Sequence, residues 1–257
     1  MKILAIGDVT GTGGVRHLEE KLWRFRDKEH IDLVIVNAEN AGFVTGPSPE
    51  IAARILDAGA DCLTGGNHTL RNKAIYSYID SEERMLRPIN FGAEAPGAGY
   101  TVIDLSGWRV LVMSAMGNVH IEPCLDSPFE YIERALEREA GRYDIAVLDI
   151  HAEATGEKLA VAHAFDGRFA AIFGTHTHVP TADARILPRG TGYITDVGMC
   201  GESGGILGMD ADTVVKRMRT HLPLRFDPAS GAVLADGVIF TVDERTGKAT
   251  DVTRVSF

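Results

Sequence analysis

Five short aliphatic runs in this chain each end in a cluster of glycine, carboxylate, amide or imidazole residues. Lys2–Ile6 runs into Gly7-Asp8, and residues 32–36 run into Asn37-Ala38-Glu39-Asn40. Residues 61–64 lead to Gly65-Gly66-Asn67-His68, and 145–148 to Asp149-Ile150-His151. The last run, 170–173, leads to Gly174-Thr175-His176-Thr177-His178. Buried strands of this length, separated by helical stretches, imply parallel pairing with helical crossovers. In such sheets the carboxyl ends of the strands share one edge, where ligands bind. If the runs share a sheet direction, two carboxylates, several amides and four imidazoles converge there.

The intervening segments support an alternating order. Val15, Leu18, Leu22 and Phe25 recur at helical spacing. Ser48-Pro49-Glu50 combines an N-cap with proline in the first turn and opens a second helix. A third helix is expected over 71–79. Tyr100–Leu105 and 109–114 flank Ser106-Gly107-Trp108 and read as a hairpin. Residues 127–139 read as helix, 144–150 and 169–173 as buried strands, and 210–221 as helix. The final runs, 237–242 and 250–255, flank Glu244-Arg245-Thr246-Gly247 and are expected to pair antiparallel. With no repeat, low-complexity stretch or linker, residues 1–257 are expected to form one α/β domain with mixed sheets.

Composition narrows the partners. Of 257 residues, 26 are Lys or Arg and 36 Asp or Glu, a formal net charge of −10. With no basic block, broad polyanion binding is disfavoured, and extended nucleic acid is not the favoured partner. Cys62, Cys124 and Cys200 are odd in number and lack C-x-x-C spacing, which argues against a disulfide framework and for a reducing compartment. The first apolar run is too short for a signal segment, and no apolar stretch is long enough to span a membrane. The expectation is a soluble cytoplasmic protein with no membrane partner.

The strand-end residues suit a pair of divalent transition ions. Imidazole favours Fe, Mn, Zn and Ni, while carboxylate and amide oxygens favour harder ions. Glu39 has two oxygens and can bridge. His176 and His178, two apart in an extended chain, would face one side and serve different ions. Singly, each motif has an ordinary explanation: Asp8 as a turn or helix cap, Asn37, Glu39 and Asn40 as loop hydrogen-bonders, His151 as a satisfied core residue. Their joint occurrence is what points to metal chemistry. His17, His30 and His221 lie in or beside amphipathic helices and read as surface residues. His120 and His163 read as structural or supporting, and Asp149 and Glu153 either orient ligand imidazoles or cap loops.

In this order the motifs resemble those of calcineurin-like metallophosphoesterases, and within them the YmdB-like branch. That branch is matched by His151-Ala152-Glu153-Ala154-Thr155, by the run from Thr175 to Ala182, and by Tyr193-Ile194-Thr195-Asp196-Val197-Gly198-Met199. Asp8-Val9-Thr10 replaces the superfamily's Asp-x-His, and Glu39 its bridging Asp; the branch shares both changes. Cys200-Gly201-Glu202 departs from the Thr-Gly-Pro commoner there, in a loop expected to border the substrate.

The resemblance implies a four-layer α/β/β/α sandwich of two mixed β-sheets flanked by helices. It places Asp8, Glu39, Asn40 and His178 at one metal, and Glu39, Asn67, His151 and His176 at another, with Fe or Mn foremost and Zn or Ni as alternatives. His68 would act as general acid on the leaving oxygen while a metal-bridging hydroxide attacks phosphorus. The implied activity is hydrolysis of small nucleotide phosphodiesters, 2′,3′-cyclic nucleotides above all. Rival readings are a phosphomonoesterase, an RNA-directed phosphoesterase, and a metal-dependent nucleotide-binding regulator. Relatives also suggest a homodimer or homotetramer.

Overall fold

The computed structural model describes residues 1–105 and 107–257, with the Val44 side chain left aside. Ser106, which the sequence assigns to a hairpin turn, lies outside the described residues. In chain order the first half comprises β1 (Lys2–Ile6), β2 (Asp8–Val9), α1 (Gly11–Glu29), β3 (Leu33–Asn37), α2 (Pro49–Asp57), β4 (Cys62–Thr64) and α3 (Tyr76–Ser81). Next come β5 (Tyr100–Leu105), β6 (Trp108–Met116), α4 (Pro128–Arg138), β7 (Ile145–His151), α5 (Thr155–Ala164) and β8 (Ala171–Thr175). The chain closes with β9 (Arg185–Ile186), β10 (Gly192–Ile194), β11 (Met199–Glu202), α6 (Ala211–Thr220), β12 (Val233–Asp243) and β13 (Lys248–Ser256).

These strands form two sheets rather than one. The first has order β2-β11-β12-β1-β3-β4, with β13 on β12; β1, β3 and β4 are parallel, and β12 is antiparallel to β1. The second has order β5-β6-β7-β8-β10-β9, with β6, β7, β8 and β10 parallel.

Alternation of side chains along each strand stacks the layers. In β1, Ile3 and Ala5 enter a core shared by the two sheets, whereas Leu4 and Ile6 meet Val15, Leu18 and Leu22 of α1 and Ile55 of α2. In β7, Ile145 and Val147 enter the shared core, while Ala146, Leu148 and Ile150 pack beneath Ile132 and Leu136 of α4 and Val161 of α5. Three apolar interfaces thus separate four layers, helix, sheet, sheet and helix. Each fully buried Leu, Ile or Val contributes roughly 1.5–3 kcal/mol, so the alternation fixes which face of each strand points where.

Local signals act as their chemistry dictates. Ser48 Oγ accepts from Ile51 N at 3.3 Å, capping α2 with Pro49 in its first turn. His30 and His221, both exposed, end α1 and α6 in the left-handed region. The expected helix over 71–79 is shorter and later: a 3-10 turn over Lys73–Ile75 precedes α3, and Asn72 caps that turn by accepting from Ala74 N. His17 is half-buried rather than a surface residue, with Nε2 2.8 Å from the Phe257 carbonyl. Cys62 and Cys200 are buried, Cys124 is exposed, and all three are free thiols. Among the described residues no helix is long and apolar enough to cross a membrane.

Candidate metal centre

The carboxyl ends of β1, β3 and β4 from one sheet meet those of β7 and β8 from the other. A polar seam closes the shared core there. Asp149 at the end of β7 accepts from Thr64 Oγ1 at 2.5 Å, from Asn37 Nδ2 at 2.9 Å and from Thr175 Oγ1 at 2.8 Å. Burial pushes its carboxyl up to about 6 in spite of these donors. Asn37 Oδ1 in turn accepts from Glu39 N at 3.0 Å, which turns the chain after β3.

Above this seam lie the residues singled out from the sequence. Asp8 is fully buried; its Oδ2 accepts from His176 N at 2.9 Å. Glu39 is fully buried too, and its Oε2 accepts from His68 N at 2.8 Å. Asn40 Nδ2 lies 3.3 Å from His178 Nε2, and Asn67 Oδ1 lies 3.1 Å from His151 Nε2. His151 Nε2 is also 3.2 Å from His176 Nδ1. All seven sequence-derived ligand candidates, and His68, therefore form one contiguous cluster. The approach of Asn67 depends on Gly66, where a Cβ would collide with the His151 ring.

Two expectations about the backbone and its surroundings need correction. His176 and His178 are not in extended chain: their φ angles are 97° and 62°. The strand ends at Thr175, and the left-handed turns, rather than strand alternation, aim the two rings. Such conformations are costly for residues with a Cβ and cluster at functional sites. His120 and His163, read as structural or supporting, are both exposed.

Each of the three imidazoles among the ligand candidates, His151, His176 and His178, has its outward nitrogen engaged. His151 Nδ1 is 2.9 Å from Thr175 Oγ1, whose own proton goes to Asp149 Oδ1; the hydroxyl must therefore accept from His151 Nδ1–H. His178 Nδ1 lies 3.2 Å from the Leu207 carbonyl, and His176 Nε2 lies 3.1 Å from Glu153 Oε2. These partners fix the tautomers so that His151 Nε2, His178 Nε2 and His176 Nδ1 offer lone pairs inward. Burial, before all other causes, lowers the pKa of each ring, His151 well below its usual value.

Asp8 shows the opposite strain. Burial, followed by repulsion from Glu39, holds Asp8 well above the ordinary carboxylate range. Asp8 Oδ1 and Glu39 Oε1 are buried without a hydrogen-bond partner among the described residues. His68 Nδ1 lies 3.2 Å from Glu39 Oε1 but 2.7 Å from Asn40 Oδ1, and its single proton goes to the nearer oxygen. Leaving a buried carboxylate oxygen without a partner is expensive. One donor atom from each of Asp8, Glu39 and His178 lies within 4.8 Å of the others, a spacing one cation can span. Orphaned oxygens facing neutral imidazoles fit a divalent ion in donor chemistry as well as position.

Sequence reasoning missed the support beneath this cluster. Lys158 of α5 is fully buried and donates to Asp196 Oδ2 at 2.8 Å; the same oxygen accepts from Thr177 N at 3.1 Å and Thr177 Oγ1 at 2.8 Å. Neither residue type at its position signals this pairing, since a lysine in an amphipathic segment is ordinarily solvated.

Residues 4–255 match the family model described as YmdB-like protein. The chain belongs to the YmdB-like family. It is 42% identical over 255 residues to the 2′,3′-cyclic-nucleotide 2′-phosphodiesterase of Bacillus subtilis (strain 168), covering 99% of this chain and 96% of that protein. A hypothetical protein from Thermus thermophilus superposes with a TM-score of 0.92 at 37% identity, covering 100% of this chain and 99% of the other. A novel phosphatase of Mycoplasma pneumoniae gives a TM-score of 0.92 at 32% identity, covering 100% and 93%. YmdB-like membership and the two stacked mixed sheets agree with the fold that the family resemblance implies.

Proposed function

We propose that this chain is a metal-dependent phosphodiesterase acting on small nucleotides, with 2′,3′-cyclic nucleotides its foremost substrates. The observation that carries the reading is the pair of buried, unpartnered carboxylate oxygens, Asp8 Oδ1 and Glu39 Oε1, in a cluster with His151 and His178, whose pKa values burial lowers. The kinship with the B. subtilis phosphodiesterase supports the substrate class.

Asp8, Glu39, Asn40 and His178 would hold one ion, and Glu39, Asn67, His151 and His176 a second, with Fe or Mn foremost. Bound divalent ions at such a site lower the pKa of water and offset the charge of phosphoryl oxygens. The chain's own residues do the rest. Thr175, Glu153 and the Leu207 carbonyl keep the ring protons on the outward nitrogens. Glu39 Oε2 and Asn40 Oδ1 fix His68 by its backbone N–H and its Nδ1. That leaves Nε2 as the atom from which protonated His68 gives its proton to the leaving alkoxide, a step worth roughly 10²–10⁴-fold. Water's oxygen bonds to phosphorus as the bond to the 2′ oxygen breaks and that oxygen takes the His68 proton, which yields the 3′-monophosphate. The free thiols suit the cytoplasm.

The test is a panel of 2′,3′-cyclic nucleotides, phosphomonoesters and short RNA, assayed with protein loaded with Mn or Fe. The cyclic nucleotides should turn over fastest. Preference for monoesters would favour the phosphatase reading attached to the Mycoplasma relative, and tight nucleotide binding without turnover would favour a regulator.

A further inference from the structure

A cavity of about 670 Å³ opens beside the carboxylate cluster, within the range that holds a small ligand. Chain neighbours of the cluster form its inner wall. Thr10 and Ala41 line it, the first two residues past Asp8 and the second directly after Asn40. Gly208, also on the wall, follows Leu207, whose carbonyl faces His178 Nδ1. The outer wall carries Phe43, and Phe226 with the Arg217 guanidinium 4.4 Å from its ring centre. Phe43 is held at a φ of 61°, an unfavourable conformation for an aromatic residue.

Glu202 also lines this cavity, at the end of β11. The other end of β11 pairs with Asp8, so one short strand joins the carboxylate to the cluster. Among the described residues the Glu202 carboxylate has neither a hydrogen-bond nor an ion-pair partner. It lies against the first turn of α1: a Cβ at Gly13 would meet Glu202 Oε1 and push the carboxylate aside. The absence of a side chain at Gly13 leaves the carboxylate its place.

We infer that this cavity binds the base of the nucleotide, and that Glu202 selects guanine. The inference rests on the proposed phosphodiesterase reading for the location of the phosphate. A carboxylate only accepts hydrogen bonds. Guanine presents two adjacent donors, N1–H and the 2-amino group, which one carboxylate takes together. Adenine and cytosine present only their amino group, and uracil flanks its single N–H with two carbonyl oxygens that repel the carboxylate. The Arg217 guanidinium, held over Phe226, suits the O6 and N7 acceptors on the other side of guanine, and Phe43 offers a face for stacking.

The experiment compares wild type with Glu202→Gln and Phe43→Leu in two ways. The first is kcat/KM for 2′,3′-cyclic GMP and 2′,3′-cyclic UMP with metal-loaded protein. The second is calorimetric affinity for 3′-GMP and 3′-UMP. Wild type should favour guanine by at least about tenfold in both, the discrimination expected of a bidentate pair. E202Q should bring both ratios close to one, and F43L should weaken both nucleotides while the ratio survives. Equal ratios in wild type and E202Q would overturn the inference even if hydrolysis is rapid. Guanine-selective binding without hydrolysis would overturn the phosphodiesterase reading and leave the base site standing. A role for Glu202 confined to the first turn of α1 would lower stability and leave the ratios unmoved, which also overturns it.

Discussion

Lys158 Nζ and Asp196 Oδ2 are paired at 2.8 Å with both side chains fully buried, one helix and one strand end away from the histidines they support. Because the same Asp196 oxygen accepts twice from Thr177, the pair fixes the residue between His176 and His178. Removing one partner of such a pair leaves an uncompensated buried charge. Lys158→Met should therefore cost about 3–5 kcal/mol in urea unfolding. It should also lower metal affinity, measured by titration with Mn under native conditions.

Asp8 provides a test in which stability moves in opposite directions with and without metal. In metal-free protein its buried charge opposes folding. Asp8→Asn removes that charge, so metal-free D8N should unfold at a higher temperature than metal-free wild type. Saturating Mn at a hundredfold excess over Kd should stabilise wild type by about 2.7 kcal/mol per site. D8N should gain much less, which reverses the order. Calorimetric melting of the two proteins, chelated and loaded, checks both signs.

The seam beneath the cluster sets a pH dependence. Asp149 titrates near 6 in the folded chain and near 3.8 when unfolded, because burial raises it. Above about pH 6 it is charged in both states, and the folded state bears the full cost of burying it. As pH falls from 6 to 3.8, the folded state takes up the proton first, and that cost is lost. Chelated wild type should therefore gain stability relative to chelated Asp149→Asn across this window. Unfolding free energies of the two proteins from about pH 7 to about pH 4 measure the change. A wild type that loses stability relative to the variant as pH falls would contradict the assignment.

His68 separates proton transfer from metal binding. Its contacts with Glu39 and Asn40 involve its backbone N–H and Nδ1, not Nε2. His68→Ala should reduce kcat for cyclic nucleotides by roughly 10²–10⁴-fold while the metal content stays near that of wild type. If metal loss accounts for the whole defect, the acid role is wrong.

Much of this is legible in the sequence, for identifiable reasons. Asp8, Glu39, Asn67, His151 and His176 stand out because five buried aliphatic runs all end in such side chains, although any one of them alone has an ordinary structural use. The same runs reveal β1, β3 and β7, whose alternate residues serve two cores. That the strand ends belong to two sheets follows only from the family resemblance, because β-pairing is non-local and the runs themselves do not report it. The short strands β9, β10 and β11 carry too few residues for periodicity. Helix α5 is hidden for a different reason: its buried Lys158 interrupts the apolar pattern, and only the distant Asp196 makes that burial tolerable. The left-handed turns at His176 and His178 escape the sequence because His-x-His spacing fits strand alternation equally well.

The central claim is tested most directly by measuring metal content and turnover together. Protein purified without added metal, then loaded stepwise with Mn or Fe, is analysed for metal per chain and assayed on 2′,3′-cyclic AMP. Turnover should rise with occupancy up to two ions per chain, and the product should be 3′-AMP. Fewer than one ion per chain under every loading condition, or hydrolysis that persists in fully chelated protein, would contradict it.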